Sequence, residues 1–130
     1  YTLASPTMQS VPYWDLKVYE LSFQSAMSIY DFSKSWPEEE RDALTGPMRR
    51  ASRQVCVLLA QAWQQRKLAP EEFVNKLSKA TSAVTETMVW LDFAVQSNYL
   101  EKGDHEQLLI NYDDVGMILS RMMLDSKNWK

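Results

Sequence analysis

The chain has 130 residues, 45% of them hydrophobic and 24% charged, with a net charge of −3; that is the composition of one globular domain and excludes a disordered chain. No apolar run approaches the roughly 18 uninterrupted residues of a membrane span, and Tyr1 to Ser10 lacks the basic and apolar regions of a signal peptide, so the expectation is a cytoplasmic protein with no membrane contact. A single cysteine and a single histidine rule out an internal disulfide, a zinc thiolate cluster and a histidine-rich metal centre.

The opening residues, 1–12, have no periodic pattern and are expected to form a flexible arm. From about residue 15 to 34, Leu16, Tyr19, Phe23, Ala26, Ile29 or Tyr30, and Ser33 recur at steps of three and four, the spacing of one helix face. Ser35-Trp36-Pro37-Glu38 then reads as a capping box, in which the serine hydroxyl and the glutamate would satisfy free amides at the start of a short helical turn.

Thr45-Gly46-Pro47 supplies an N-cap and an early proline for a second helix over about 45–66, with Met48, Ser52, Val55, Leu59 and Ala62 inward. Cys56 lies in its apolar run and reads as a small buried hydrophobe. Pro70 opens a third helix to about residue 98, where Phe73, Leu77, Ala80, Val84, Thr87, Leu91, Ala94 and Asn98 make an unbroken heptad seam. Gly103 ends the connection, and Asp104-x-x-Gln107 suggests a second capping box for a fourth helix over about 105–125, with Leu108, Tyr112, Val115, Leu119 and Met122 inward.

Four helices with short connections predict an all-α fold, an antiparallel up-down-up-down four-helix bundle over 13–126, followed by a short tail at 127–130. Large apolar residues fall off the inward stripes: Val18, Leu21, Trp63, Trp90, Phe93, Ile118 and Met123. A bundle of this size has no room for them all, which predicts self-association, with Trp63, Trp90, Phe93, Ile118 and Met123 as interface candidates.

Site chemistry is sparse. A di-iron bundle needs two Glu-x-x-His motifs, and the lone His105 excludes it. His105 reads as a solvated residue in the first turn of its helix, and the three separate glycines form no phosphate-cradling loop. Glu86 is mid-helix and reads as a structural hydrogen-bond partner. No enzyme activity and no cofactor are expected.

Charge is the informative feature. Between Ala43 and Lys67 stand Arg49, Arg50, Arg53, Arg66 and Lys67 with no acid, a charge of +5, which leaves −8 on the remainder to reach −3. Arg66 and Lys67 suit the negative pole of their helix, whereas Arg49 and Arg50 lie near the positive pole and need another reason to be there. These charges meet acidic neighbours, for example around Asp113 and Asp114 in the last helix, or lie solvated, or form a binding face.

The order Asp15-Leu16-Lys17-Val18-Tyr19, Trp36-Pro37-Glu38-Glu39-Glu40, Leu44-Thr45, Arg49-Arg50-Ala51, then Phe73, Leu77, Ala80 and Glu86, resembles the bacterial four-helix bundle proteins encoded in intervening sequences of large-subunit ribosomal RNA genes. The resemblance implies a homopentamer without known catalytic activity. Related proteins act as accessory variability determinants of diversity-generating retroelements, which implies RNA and a reverse transcriptase as partner classes. The chain departs from the family at Leu58-Leu59-Ala60-Gln61-Ala62, where relatives tend towards Asn-Ile-Ala-Glu-Gly, and at Ser82-Ala83, where they carry Gly-Ser.

The leading expectation is therefore a non-enzymatic homo-oligomeric scaffold whose Arg49, Arg50, Arg53, Arg66 and Lys67 contact RNA phosphates. The alternative is a protein-binding adaptor, for example of a reverse transcriptase, or a structural assembly, in which the same arginines pair with acids across an interface.

Overall fold

The computed structural model describes residues 11–128. Within them the fold is all-α, with four long helices and no strand: α1 (Lys17–Ser33), α2 (Gly46–Gln65), α3 (Pro70–Gln96) and α4 (Lys102–Leu124). In α2, α3 and α4 each predicted inward residue is buried, from Met48 through Met122, with Asn98 the one exception. The helices pack in cyclic order, α1 on α2, α2 on α3, α3 on α4 and α4 back on α1, around one apolar core. None of the described helices is long and apolar enough to cross a membrane.

The first helix corrects the expected stripe. Its buried residues are Val18, Ser22, Ser25, Ala26, Ile29 and Ser33, while Phe23 is 49% exposed and Leu16 and Tyr19 are only half-buried. Ala26, Ile29 and Ser33 lie on the expected stripe and are buried, whereas in the first half of the helix Ser22 and Ser25 turn inward in place of Tyr19 and Phe23. Burying a hydroxyl is inexpensive when it closes on a carbonyl, and Ser22 Oγ donates to the Val18 carbonyl at 2.8 Å. Val18 and Trp63, expected to overflow the bundle, instead belong to the core. The Trp63 indole donates to the Val11 carbonyl at 2.6 Å, so the chain is already tied down there; the rest of the expected arm, 1–10, lies outside the described residues.

Helix starts also differ from the sequence expectation. No side-chain cap forms before α2 or α4, nor at the turn that begins at Glu38. Glu38 pairs with Arg41 instead of reaching back. Residues Glu38–Glu40 form a 3-10 turn, and Arg41–Thr45 a π turn that runs straight into α2, so Thr45 is helical rather than capping. That passage requires Gly46: its amide bonds the Arg41 carbonyl, and a Cβ there would lie 2.8 Å from the same oxygen.

The third helix stops at Gln96, two residues short of expectation, because Asn98 takes φ 63 and closes the end. The Tyr99 amide bonds Ala94 O at 3.0 Å and the Asn98 amide bonds Val95 O at 3.1 Å, the double closure in which Asn substitutes for glycine. Helix α4 begins at Lys102, which places Gly103 and Asp104 inside its first turn.

Candidate nucleic-acid interface

On a helix, consecutive side chains point about 100° apart, so Arg49 and Arg50 leave α2 on different flanks. Arg49 turns to α1: its Nε donates to Ser33 Oγ at 2.9 Å, Nη2 approaches the Tyr30 carbonyl at 3.4 Å, and Cζ lies 4.7 Å from the Tyr30 ring centroid. Arg53, one turn on, lies 5.7 Å from the same ring, and Lys34 Nζ 5.0 Å from it. Three cations thus converge on one tyrosine, with one acid beside them, Asp31, 3.4 Å from Lys34. Such contacts contribute about 0.5–1 kcal/mol each at exposed sites. They orient the cations without neutralising them.

Tyr30 and Lys34 were missed as site residues by the sequence reading. The signal was there: Tyr30 and Lys34 are spaced i,i+4 at the end of α1, and Arg49 and Arg53 are spaced i,i+4 at the start of α2.

Arg50 turns to α3. With Ala51, Gln54 and Leu58 it forms one wall of a groove of about 480 Å³, faced by Lys79, Ser82, Ala83 and Glu86. Glu86 accepts a hydrogen bond from the Trp90 indole at 3.0 Å. Several positions at which the chain follows or departs from its resemblance, Arg50, Leu58, Ser82, Ala83 and Glu86, therefore share one groove.

The remaining two basic candidates are elsewhere. Arg66 is about 25 Å from Arg49 by helical rise; it stacks on the Trp63 ring at 3.9 Å and donates to the Trp63 carbonyl at 2.7 Å, and burial lowers its pKa. Lys67 is exposed beyond the end of α2. The five basic candidates thus make three separate groups. The alternative that they meet Asp113 and Asp114 is not realised within the chain: among the described residues those acids make no ion pair with them.

Large apolar side chains are exposed on all four helices, among them Val89 and Phe93 on α3, and two groupings stand out among the described residues. Between α1 and α2, Tyr13, Tyr19, Phe23, Met27, Val57 and Arg53 line a groove of about 410 Å³, along which Tyr13 packs against Tyr19 and Tyr19 stacks on Phe23. On α4, Ile110, Met117 and Leu124 are exposed at seven-residue spacing. Of the expected interface residues, Trp63 is buried in its own core, Trp90 and Met123 are partly buried against it, and Phe93 and Ile118 are exposed.

His105 is not simply solvated, since Nε2 lies 2.8 Å from Asp92 Oδ1 and joins α4 to α3. Cys56 is a buried free thiol, and burial pushes it up to about 11. Among the described residues no group of three His, Cys, Asp or Glu side chains could hold a metal ion.

The fold is similar to that of a solved protein of unknown function from the S23 ribosomal protein family of Bacteroides thetaiotaomicron VPI-5482, with a TM-score of 0.71 and 20% identity over 82% of this chain and 97% of that one. No curated protein matches the sequence. The sequence profile of the 23S rRNA-intervening sequence proteins matches residues 14–121, from the turn before α1 to near the end of α4. The chain belongs to the 23S rRNA-intervening sequence protein family.

Proposed function

We propose that this chain is the subunit of a non-enzymatic, cytoplasmic homo-oligomer that binds RNA, with the pentameric number taken from the family resemblance. The observation that carries the RNA reading is the convergence of Lys34, Arg49 and Arg53 on Tyr30, an aromatic ring set among cations that bear no acid of their own beyond Asp31. Cations attract phosphates without reading sequence, and an adjacent ring offers a stacking surface. The connections 66–69 and 97–101 are short, which supports antiparallel neighbours and an up-down-up-down bundle.

Self-association is supported by two apolar surfaces on different helices, the α1/α2 groove and the α4 stripe, which suit a head-to-tail contact that closes into a ring. Absence of catalysis is part of the proposal and comes from the family resemblance, which implies no known activity.

The test is the affinity for a labelled single-stranded RNA across salt concentrations. Replacing Arg49, Arg50 and Arg53 together by Ala weakens binding and flattens the dependence of log K on log salt by about 0.7 per lost contact; unchanged affinity and slope would defeat the reading. A second reading, a protein-binding adaptor such as a partner of a reverse transcriptase, draws on Asp113 and Asp114, whose carboxylates make no ion pair within the described chain and could meet arginines of a neighbouring molecule.

A further inference from the structure

A groove and a ridge on this chain match in shape, spacing and charge. The groove lies between α1 and α2. Phe23, Met27 and Val57 form its exposed walls, and the small residues Ala26, Cys56 and Ala60 form a floor that a helix can approach closely. Arg53 is its one charged lining residue, and no carboxylate lines it. The Tyr30 ring, beside both Arg49 and Arg53, marks the end of the groove where α1 finishes and α2 begins. Along α2, Val57 follows Arg53 by about 6 Å and Gln61 follows it by about 12 Å, towards the Tyr19 end. On α1, Glu20 is exposed on the same flank as Met27, about 10.5 Å before it.

The ridge is α4. Ile110, Met117 and Leu124 stand on it about 10.5 Å apart, the seven-residue spacing of a helix that packs along its length. Asp113 and Arg121, both exposed, precede and follow Met117 by four residues, which places them on opposite shoulders of the ridge and about 12 Å apart.

We infer that the α1/α2 groove receives α4 of a second copy of this chain, laid parallel to α2, with the partner's Met117 against Val57, the partner's Asp113 against Arg53 and the partner's Arg121 against Glu20. The inference rests on the self-association reading and names its contact. The spacings agree: four residues separate Arg53 from Val57, as four separate Asp113 from Met117. The further four to Arg121 reach the level of Gln61 and Tyr19, beside which Glu20 stands. Handedness agrees as well, since a right-handed helix lying in the groove in this direction turns its Asp113 shoulder towards α2 and its Arg121 shoulder towards α1. Reversed, it would set Arg121 on Arg53 and Asp113 on Glu20, like charge on like, so charge selects the direction. The apolar lining favours an apolar ridge over a nucleic-acid strand. At the Tyr30 end the contact engages Arg53 and leaves Arg49 and Lys34 to the RNA.

The experiment is sedimentation velocity of the full chain with one face spoiled at a time. Val57→Asp puts a charge in the groove and Met117→Asp puts one on the ridge; both residues are exposed, so the fold is retained, which circular dichroism checks. Each variant alone sediments as a 15.1 kDa monomer. Mixed, the intact ridge of one enters the intact groove of the other, and they form a pair of one each that cannot grow further. Arg53→Asp and Asp113→Arg each weaken association about ten-fold, and the two combined in one chain restore it. The contact is overturned if Val57→Asp or Met117→Asp assembles as the unaltered chain does, if the two monomeric variants do not pair when mixed, or if the combined charge reversal associates more weakly than either single one. Each of those outcomes leaves self-association standing through other faces. An unaltered chain that stays monomeric at every concentration defeats the contact and the self-association reading together.

Discussion

Arg49 reaches from α2 to lie over the ring of Tyr30 on α1, with Cζ 4.7 Å from the centroid, while its Nε donates to Ser33 Oγ at 2.9 Å. The same side chain therefore holds two helices together and presents a cation at their junction. Both roles follow from its length: a (CH2)3 stem packs along the helix surface and leaves the planar guanidinium free to stack.

A double-mutant cycle between Arg49→Ala and Tyr30→Ala, read by urea unfolding, is expected to give a coupling of about 0.5–1 kcal/mol. Arg49→Lys retains the charge but loses the fork and the stacking, so it recovers less than half of that coupling. Additive single-variant effects would mean that the contact contributes no stability.

The two helix-start glycines should respond in opposite directions. Gly46→Ala drives a methyl against the Arg41 carbonyl, which is backbone and cannot swing aside, and costs about 1–3 kcal/mol. At Gly103 nothing lies within 4 Å of the added carbon, so Gly103→Ala is neutral or stabilises by up to about 1 kcal/mol through helix propensity. Thermal unfolding of the two variants checks this, and a stable Gly46→Ala would show that the π turn is dispensable.

Cys56 makes stability fall at high pH. Its thiol is raised from 9.0 to about 11 by burial, so from pH 9 upward the unfolded chain gives up this proton while the folded chain keeps it. More protons bound in the native state means stability declines with rising pH, by roughly 2 kcal/mol from this group across the window from 9 to 11, and is fully present below 9. Tyr112, buried and also raised, adds loss of the same sign above its ordinary value of 10.0. Urea midpoints from pH 8 to 11 should drop less in Cys56→Ala than in the unaltered chain; parallel profiles would contradict the assignment.

Three of the four helix faces could be read from the sequence because α2, α3 and α4 bury side chains such as Leu59, Leu77, Leu91, Tyr112 and Leu119 at helical spacing. The face of α1 was legible only in its second half, at Ala26, Ile29 and Ser33; in its first half size misleads, because Val18, Ser22 and Ser25 are buried and the large Tyr19 and Phe23 line an outer groove. The capping patterns at Ser35, Thr45 and Asp104 failed for a related reason: backbone turns took the role that side chains were expected to fill, most plainly where the π turn flows into α2. The basic residues were legible as a group but not their division. Arg49 and Arg50 diverge by one helical step, and what they meet, Tyr30 on one flank and Lys79 and Glu86 on the other, is set by helix neighbours distant in sequence.

The central claim, an assembled RNA-binding scaffold, is tested most directly by sedimentation velocity of the chain mixed with a fluorescent single-stranded RNA, monitored by the RNA signal. The account predicts that the RNA moves with a protein species several times the 15.1 kDa subunit mass and returns to its free rate when salt is raised. Free RNA beside a 15.1 kDa monomer at low salt would contradict it.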